Sequence, residues 1–297
     1  MGYRLDPAAP LDDEVRRVAG ELLEDAVHRL RERTPSSDDV HKTRTDLKKL
    51  RSLVRLVAID GTGSQRPGRV ARDAARRLSA QRDHAVMTET FEALVPDLAG
   101  AVGPQTVLRV RAGLASAAAA MRRTDVGSDA VARQVADDLD ALALSTAMWQ
   151  VDGDGFAGLE RGLRDRYELG RDALHGLGPD PHPEDLHELR KGVKDHWYHL
   201  RLLRDGWPPV MHALAGEAKQ LSEELGDDHD LSILATALGG DGPDLLGADR
   251  DAVLAAIERR RAALLADICA GAARVYADKP KAFTRRIGTW WQQASHA

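Results

Sequence analysis

His41, Arg44, Lys48, Arg51 and Arg55 follow one another at intervals of three and four residues. On a helix they fall within an arc of roughly 80°. Four cations and an imidazole in one line are suited to holding anions, because guanidinium forks and ammonium point charges match carboxylate and phosphate oxygens. Like charges one turn apart repel, and no acid stands at these five positions. The negative charge must come from a neighbouring helix or from an external polyanion. Val40, Leu47, Leu50, Val54 and Val57 occupy the adjoining arc and read as the core-facing stripe.

The same register returns 146 residues later as His187, Arg190, Lys194 and Arg201. Asp195 stands at the place of Lys49, and Trp197 at the place of Arg51. A second block, Leu78 to Asp83 (LSAQRD), matches Leu225 to Asp230 (LGDDHD) at an offset of 147, which aligns Arg72 with Lys219. The segment after the first ridge adds Arg69, Arg72 and Arg76 on one face, with Arg77 beside it. Its counterpart keeps Lys219 and has Glu223 and Glu224 where Arg76 and Arg77 stand. Two matched blocks in one order point to an internal duplication with pseudo-twofold symmetry. The first half is expected to bind anions more strongly. Arg44, Lys48, Arg51 and Arg55 should form one wall of a groove and Arg69, Arg72 and Arg76 the other, continued by Arg190 and Lys194. Asp83 and Asp230, matched between the halves, should orient basic side chains.

The elements that must position these residues read as amphipathic helices. Their expected spans are 12–33, 38–59, 66–82, 84–95, 104–124 and 128–147, then 155–175, 183–205, 208–225, 228–239, 249–278 and 281–293. Thr34-Pro35-Ser36-Ser37 supplies a stop and hydroxyl caps, and Gly61-Thr62-Gly63-Ser64 ends the second helix. Pro179, Pro181 and Pro183 force an extended entry to the helix of His187. Asp152-Gly153-Asp154-Gly155 lies near the midpoint and divides the expected halves, 1–150 and 151–297. The expected fold is all-α, two similar helical bundles related by a pseudo-twofold axis.

Composition supports that class and narrows the function. Aromatics make up 4% of the 297 residues, a composition that favours helix over strand. The net charge of -5 argues against a general nucleic-acid binder. Yet from Val40 to Arg82 there are 12 Lys or Arg against three acids, Asp46, Asp60 and Asp73. Cys269 is the single cysteine, so no intramolecular disulfide forms. With no secretory signal pattern and no apolar run of membrane-spanning length, a cytoplasmic protein without membrane contact is expected.

The motifs HKTRTDLKKLRSLVRL and LHELRKGVKDHWYHLRLL resemble the two signature helices of the CHAD family, the conserved-histidine α-helical domains of bacteria. LSAQRDHAVM and LGDDHDLSIL resemble the family's paired Arg-Asp and His-Asp segments. Tyr3-Arg4-Leu5 and KPKAFTRRIGTWW look like its two ends. The resemblance covers nearly the whole chain and is that of a stand-alone member, without a triphosphate-tunnel domain. It implies basic residues of two bundles around a central groove, with inorganic polyphosphate as ligand, no cofactor and no catalysis. It also implies a place at polyphosphate granules and a protein partner in polyphosphate metabolism. His41, Arg44, Lys48, Arg51 and Arg55 match its first motif; His187, Arg190 and Lys194 match its second, where Trp197 departs from the usual basic residue. Arg69, Arg72, Arg76, Arg201 and Lys219 complete the expected polyphosphate contacts.

Three rival readings rest on the same residues. A metal site would use some of the 11 histidines, but His41 and His187 have no second His or Cys ligand on their helix face. Asp228-His229-Asp230 suits a metal or the positioning of an arginine. A histidine phosphotransfer or metal-dependent phosphate-handling protein would use His187, but the motif occurs twice and clustered carboxylates for metals are lacking. A helical scaffold for protein partners would use Trp290 and Trp291 as anchors.

Overall fold

The computed structural model describes residues 2–31, 35–60, 66–78, 83–124, 128–240 and 244–296. The expected break at Gly61 to Ser64 and most of LSAQRD lie outside the described residues. The side chain of Asp83 lies outside them as well, and with it the role expected of that carboxylate.

Eleven α-helices account for most of the described residues, so the all-α expectation holds. They are α1 (Leu11–Arg31), α2 (Ser37–Leu56), α3 (Arg66–Arg77), α4 (Asp83–Leu94), α5 (Pro104–Thr124) and α6 (Ser128–Thr146), then α7 (Ala157–His175), α8 (Pro183–Leu202), α9 (Pro208–Gly239), α10 (Arg250–Val275) and α11 (Pro280–Ala294). Two strands of two residues each, β1 (Ile59–Asp60) and β2 (Gln150–Val151), pair antiparallel and tie the exit of α2 to the α6–α7 connection.

Local chemistry sets the signature helices. α2 begins with a reciprocal cap: Ser36 Oγ accepts from Asp39 N–H at 3.1 Å, and Asp39 Oδ2 accepts from Ser36 N–H at 3.0 Å. At the corresponding positions of α8, His182 Nδ1 accepts from Glu184 N–H at 3.3 Å and Asp185 Oδ2 accepts from His182 N–H at 3.0 Å. Pro183 then fills the first turn, where its missing N–H costs nothing. Both helices are 20 residues long, 146 apart.

One expected boundary was wrong. The sequence suggests a break at Gly226, but α9 runs unbroken for 32 residues. A mid-helix glycine costs about 1 kcal/mol relative to Ala. The continuous buried stripe of Leu221, Leu225, Leu231, Leu234 and Leu238 outweighs that cost. Asp228 sits in the same stripe, buried because Arg261 of α10 donates to it at 3.0 Å.

Helices close in sequence pack on one another in each half of the chain. α1 packs on α2 and α6, α2 on α3, and α4 on α5; α7 packs on α8 and α11, α8 on α9, and α9 on α10. The buried side chains form two clusters, and each draws on both sequence halves. The larger joins α1, α2, α3 and α6 to α7, α8, α11, the first part of α9 and the last part of α10. The smaller joins α4 and α5 to the last part of α9 and the first part of α10. α2 and α8 therefore touch each other, α2 also touches α7, and the N-terminal strand of chain crosses the pair: Tyr3 Oη donates to Lys49 O at 2.9 Å and Leu5 N–H to Leu202 O at 2.8 Å.

α7 and α8 approach backbone to backbone. A Cβ at Gly192 would lie 2.6 Å from Gly170 Cα, and one at Gly170 would lie 2.1 Å from Tyr276 Oη. Gly192→Ala should therefore overpack the contact and lose about 1–3 kcal/mol. Gly20→Ala, in α1 with nothing within 4 Å of the new methyl, should gain about 0.5–1 kcal/mol from helix propensity. Thermal denaturation of the two variants measures both signs; a neutral Gly192→Ala would contradict the close approach.

Candidate anion-binding site

α2 carries its basic ridge between two clefts rather than along one groove. The first cleft, about 500 Å³, is lined by His41, Arg44 and Lys48 of α2, Arg190 and Lys194 of α8, and the acids Glu223, Asp227 and Asp230 of α9. Trp197, Tyr198 and His229 complete its wall. The second, about 730 Å³, is lined by Arg51 and Arg55 of α2, Arg69 and Arg72 of α3, and Arg161 and Arg166 of α7. Its carboxylates are Asp152 and Asp165. Ten residues separate His41 from Arg51, about 15 Å along the helix.

The question of what balances the ridge has a partial answer inside the chain. Asp195 of α8 is 5% exposed and accepts from Arg55 Nη1 with both oxygens at 2.8 Å, with Arg166 at 3.9 Å. Burial pushes the Asp195 carboxyl up, and Arg55, Arg166 and Arg51 pull it back. Lys49 is neutralised in the same way by buried Asp46, which it meets at 2.7 Å together with Arg29 at 2.7 Å. Arg51 has no carboxylate within ion-pair distance among the described residues. Burial lowers its pKa, and the neighbouring Arg55 lowers it further. Arg190 is likewise depressed by burial, opposed by Asp230, and its Nε is enclosed without a hydrogen-bond acceptor among the described residues. Both guanidiniums remain cations, since arginine starts so far above neutrality. Each is a partly desolvated positive charge whose protein partners fall short of neutralising it, and such a charge gains from an incoming anion.

Most of the expected contacts come together, but some are diverted. His41, Arg44, Lys48, Arg190 and Lys194 share the first cleft; Arg51, Arg55, Arg69 and Arg72 share the second. His187 lies beside the first cleft, 5.3 Å from the His229 ring, in a shallower hollow with Glu184. Arg201 points elsewhere: its guanidinium lies 5.4 Å from the Tyr3 ring and 5.3 Å from the Trp197 ring. Lys219 stands exposed on α9 and pairs with Glu223 at 2.9 Å. Arg76 stands on the exposed face of α3 and lines neither cleft. Asp230 does face the first cleft beside Arg190, where its charge was expected.

Arg161 and Arg166 were not anticipated. Their helix mixes charge signs, with Arg164 on Glu160 at 3.0 Å and Arg161 on Asp165 at 3.7 Å, and so reads as an ordinary solvated face. Among the described residues no group of three or more His, Cys, Asp and Glu is placed to hold a metal ion. No described helix is long and apolar enough to cross a membrane.

A family model, the CHAD domain, matches residues 21–239. The chain belongs to the CHAD family. The CHAD fold extends past the matched segment. A crystal structure of the CHAD domain from the plant Ricinus communis superposes with a TM-score of 0.62 at 19% sequence identity, covering 91% of this chain and 93% of that one. At that identity the likeness is one of fold, and its plant source means that the fold does not carry the bacterial origin expected above. A search of curated proteins finds no match.

The CHAD signature helix α8 also buries two histidines. His199 Nε2 lies 3.0 Å from Ser52 O, and His196 packs among the rings of Tyr167, Tyr276 and Phe283. Burial pushes both imidazoles down to about 3, so they are neutral in the folded protein. Unfolded, each takes a proton near its ordinary value of about 6.5. A depressed folded pKa means stability that is intact above pH 6.5 and lost as pH falls toward 3. The slope should approach about 1.4 kcal/mol per pH unit for each histidine. Chemical denaturation at pH 7.5, 6 and 5 should show that loss, and His196→Phe should remove about half of the slope. A profile flat from pH 7.5 to 5 would contradict neutral burial.

Proposed function

We propose that this CHAD protein is a non-catalytic binder of inorganic polyphosphate, held along the ridge of α2 between the two clefts. The observation that carries the reading is the second cleft, where six arginines from three helices meet two carboxylates. Polyphosphate is a flexible chain of anions with no base edges to read. Arginine forks suit its oxygens. No aromatic side chain among the described residues lines the second cleft, which disfavours single-stranded nucleic acid held there by base stacking. The family resemblance points to the same ligand.

The clefts differ in charge, and the difference orders their filling. In the second, α3 presents Arg69 and Arg72 to α2. In the first, α9 presents Glu223, Asp227 and Asp230 to Arg44, Lys48, Arg190 and Lys194. A polyanion therefore settles first at Arg51, Arg69 and Arg72, beside Arg55, which Asp195 already holds, and reaches the first cleft along α2. In this reading the ridge on α8 is the weaker of the two, because Arg190 and Lys194 face the acids of α9. Residence at cytoplasmic polyphosphate granules, and a protein partner that makes or degrades the polymer, follow from the ligand.

The test is calorimetric titration with polyphosphates of graded length. Long chains should bind much more tightly than triphosphate, because a second engagement on the same chain is intramolecular. Lys48→Glu with Arg51→Glu should weaken binding about 100-fold, two charge-assisted contacts being lost. Lys194→Glu should cost about tenfold or less, since acids already oppose it. Circular dichroism should show unchanged helicity, both α2 changes lying beside the buried stripe. Absence of heat with a folded sample at low salt, or release of orthophosphate, would contradict the reading.

A further inference from the structure

A third basic cavity lies outside the clefts, between the start of α7 and the length of α11. It measures about 610 Å³ and is lined by Arg164 of α7 and by Lys279, Lys281 and Arg285 at and beyond the start of α11. Its one carboxylate among the described residues, Glu160, is already engaged by Arg164 at 3.0 Å. Lys279, Lys281 and Arg285 have no carboxylate within ion-pair distance among the described residues. The nearby Arg286 is different: it pairs with Asp278 at 2.7 Å and lies over the Trp290 ring. Arg164 Nε is enclosed and lacks an acceptor among the described residues.

Two features set the shape of this cavity and two more its charge. Phe156 wedges against Gly288, where a Cβ would lie 2.5 Å from its ring. Phe283, Ile287 and Trp291 bury the opposite side of α11, so the basic side must face outward. Lys281 and Arg285 are four residues apart, one above the other, where like charges repel unless an anion joins them. The start of α11 has no side-chain cap, and its amide dipoles add to the positive field there.

The cavity is also placed to continue the second cleft. Arg161 and Arg166 face that cleft from α7, and Arg164 faces the third cavity from the same two turns of the helix. The step from one to the other is about one helix diameter, ~10–12 Å. Arg161, almost fully exposed, stands between them. We infer that the α7–α11 cavity is an accessory anion site, which takes a further stretch of the polyanion after it leaves the second cleft and crosses α7. The inference rests on the polyphosphate reading. It adds that chain length is sensed at a place remote from the signature helices.

The experiment compares the full chain with the double variant Lys281→Glu, Arg285→Glu, using triphosphate and long-chain polyphosphate as separate probes. Both substitutions are on exposed positions, and an acid near the start of α11 favours the helix. Affinity for triphosphate should be unchanged, while long chains should bind about tenfold more weakly, as one linked engagement is lost. The variant Lys281→Arg, Arg285→Lys should keep the long-chain affinity. Unchanged long-chain binding by the reversed variant would overturn the accessory site and leave the polyphosphate reading standing. Equal loss for triphosphate would also overturn it, since the residues would then belong to the primary site. If the unsubstituted chain binds no polyphosphate of any length, the underlying reading falls, and this inference with it.

Discussion

The ion pair between Arg55 and buried Asp195 is the contact on which the arrangement of the site depends. It joins the two signature helices where they cross, and Arg166 brings α7 to the same carboxylate. A carboxylate removed from water is costly unless it is paired and hydrogen-bonded, so its position constrains all three helices together. Ser52 next to it donates to Asp195 O at 3.4 Å and accepts from His199, which locks the crossing from both sides. With the end of the α2 ridge anchored inward in this way, the remaining cations are presented to the clefts. Lys49 is taken out of service by Asp46 in the same manner. The chain thus holds some of its basic residues in buried ion pairs and leaves others, such as Arg51 and Arg69, lining a cleft.

A protein with a net charge of -5 can still line one cleft mainly with arginines. The field in a cleft depends on the charges lining it and on low-dielectric walls, more than on the total. Six arginines line the second cleft, while many acids are spent in pairs elsewhere, such as Asp137 and Asp140 with Arg31 or Asp12 and Asp13 with Arg16. The first cleft is more nearly balanced. Burial raises the Asp227 carboxyl, followed by the nearby charge of Asp230, so the acid wall of α9 weakens as pH falls. Its affinity for anions should then respond to pH more than that of the second cleft.

Much of this was legible in the sequence because helical periodicity is. The spacing of His41, Arg44, Lys48, Arg51 and Arg55 placed them on one face, and all five line a cleft. The matched offset placed α8 146 residues after α2, while its His182 cap gave no signal in the sequence. What stayed hidden depends on three-dimensional neighbours. Arg201 occupies the place of Arg55, yet its fate is set by Tyr3 at the far end of the chain, whose ring no local pattern brings near. Asp195 read as a weakness of the second ridge; in the structure it is the counter-charge of the first. Arg161 and Arg166 carried no signal, since salt-bridged helix faces are common. Gly226 read as a break because its local cost is visible, while the leucines of α9 find their partners only after packing.

Under the proposed function the polyanion is held by neutralising several phosphates at once. The measurement closest to it is the affinity for long-chain polyphosphate as a function of salt. Neutralising cations release condensed counterions, so the logarithm of the affinity should fall linearly with the logarithm of the salt concentration. With four to six cations engaged, the slope should be about -3 to -5. A slope near zero, with tight binding that persists at high salt, would show recognition by something other than this basic ridge and would contradict the account.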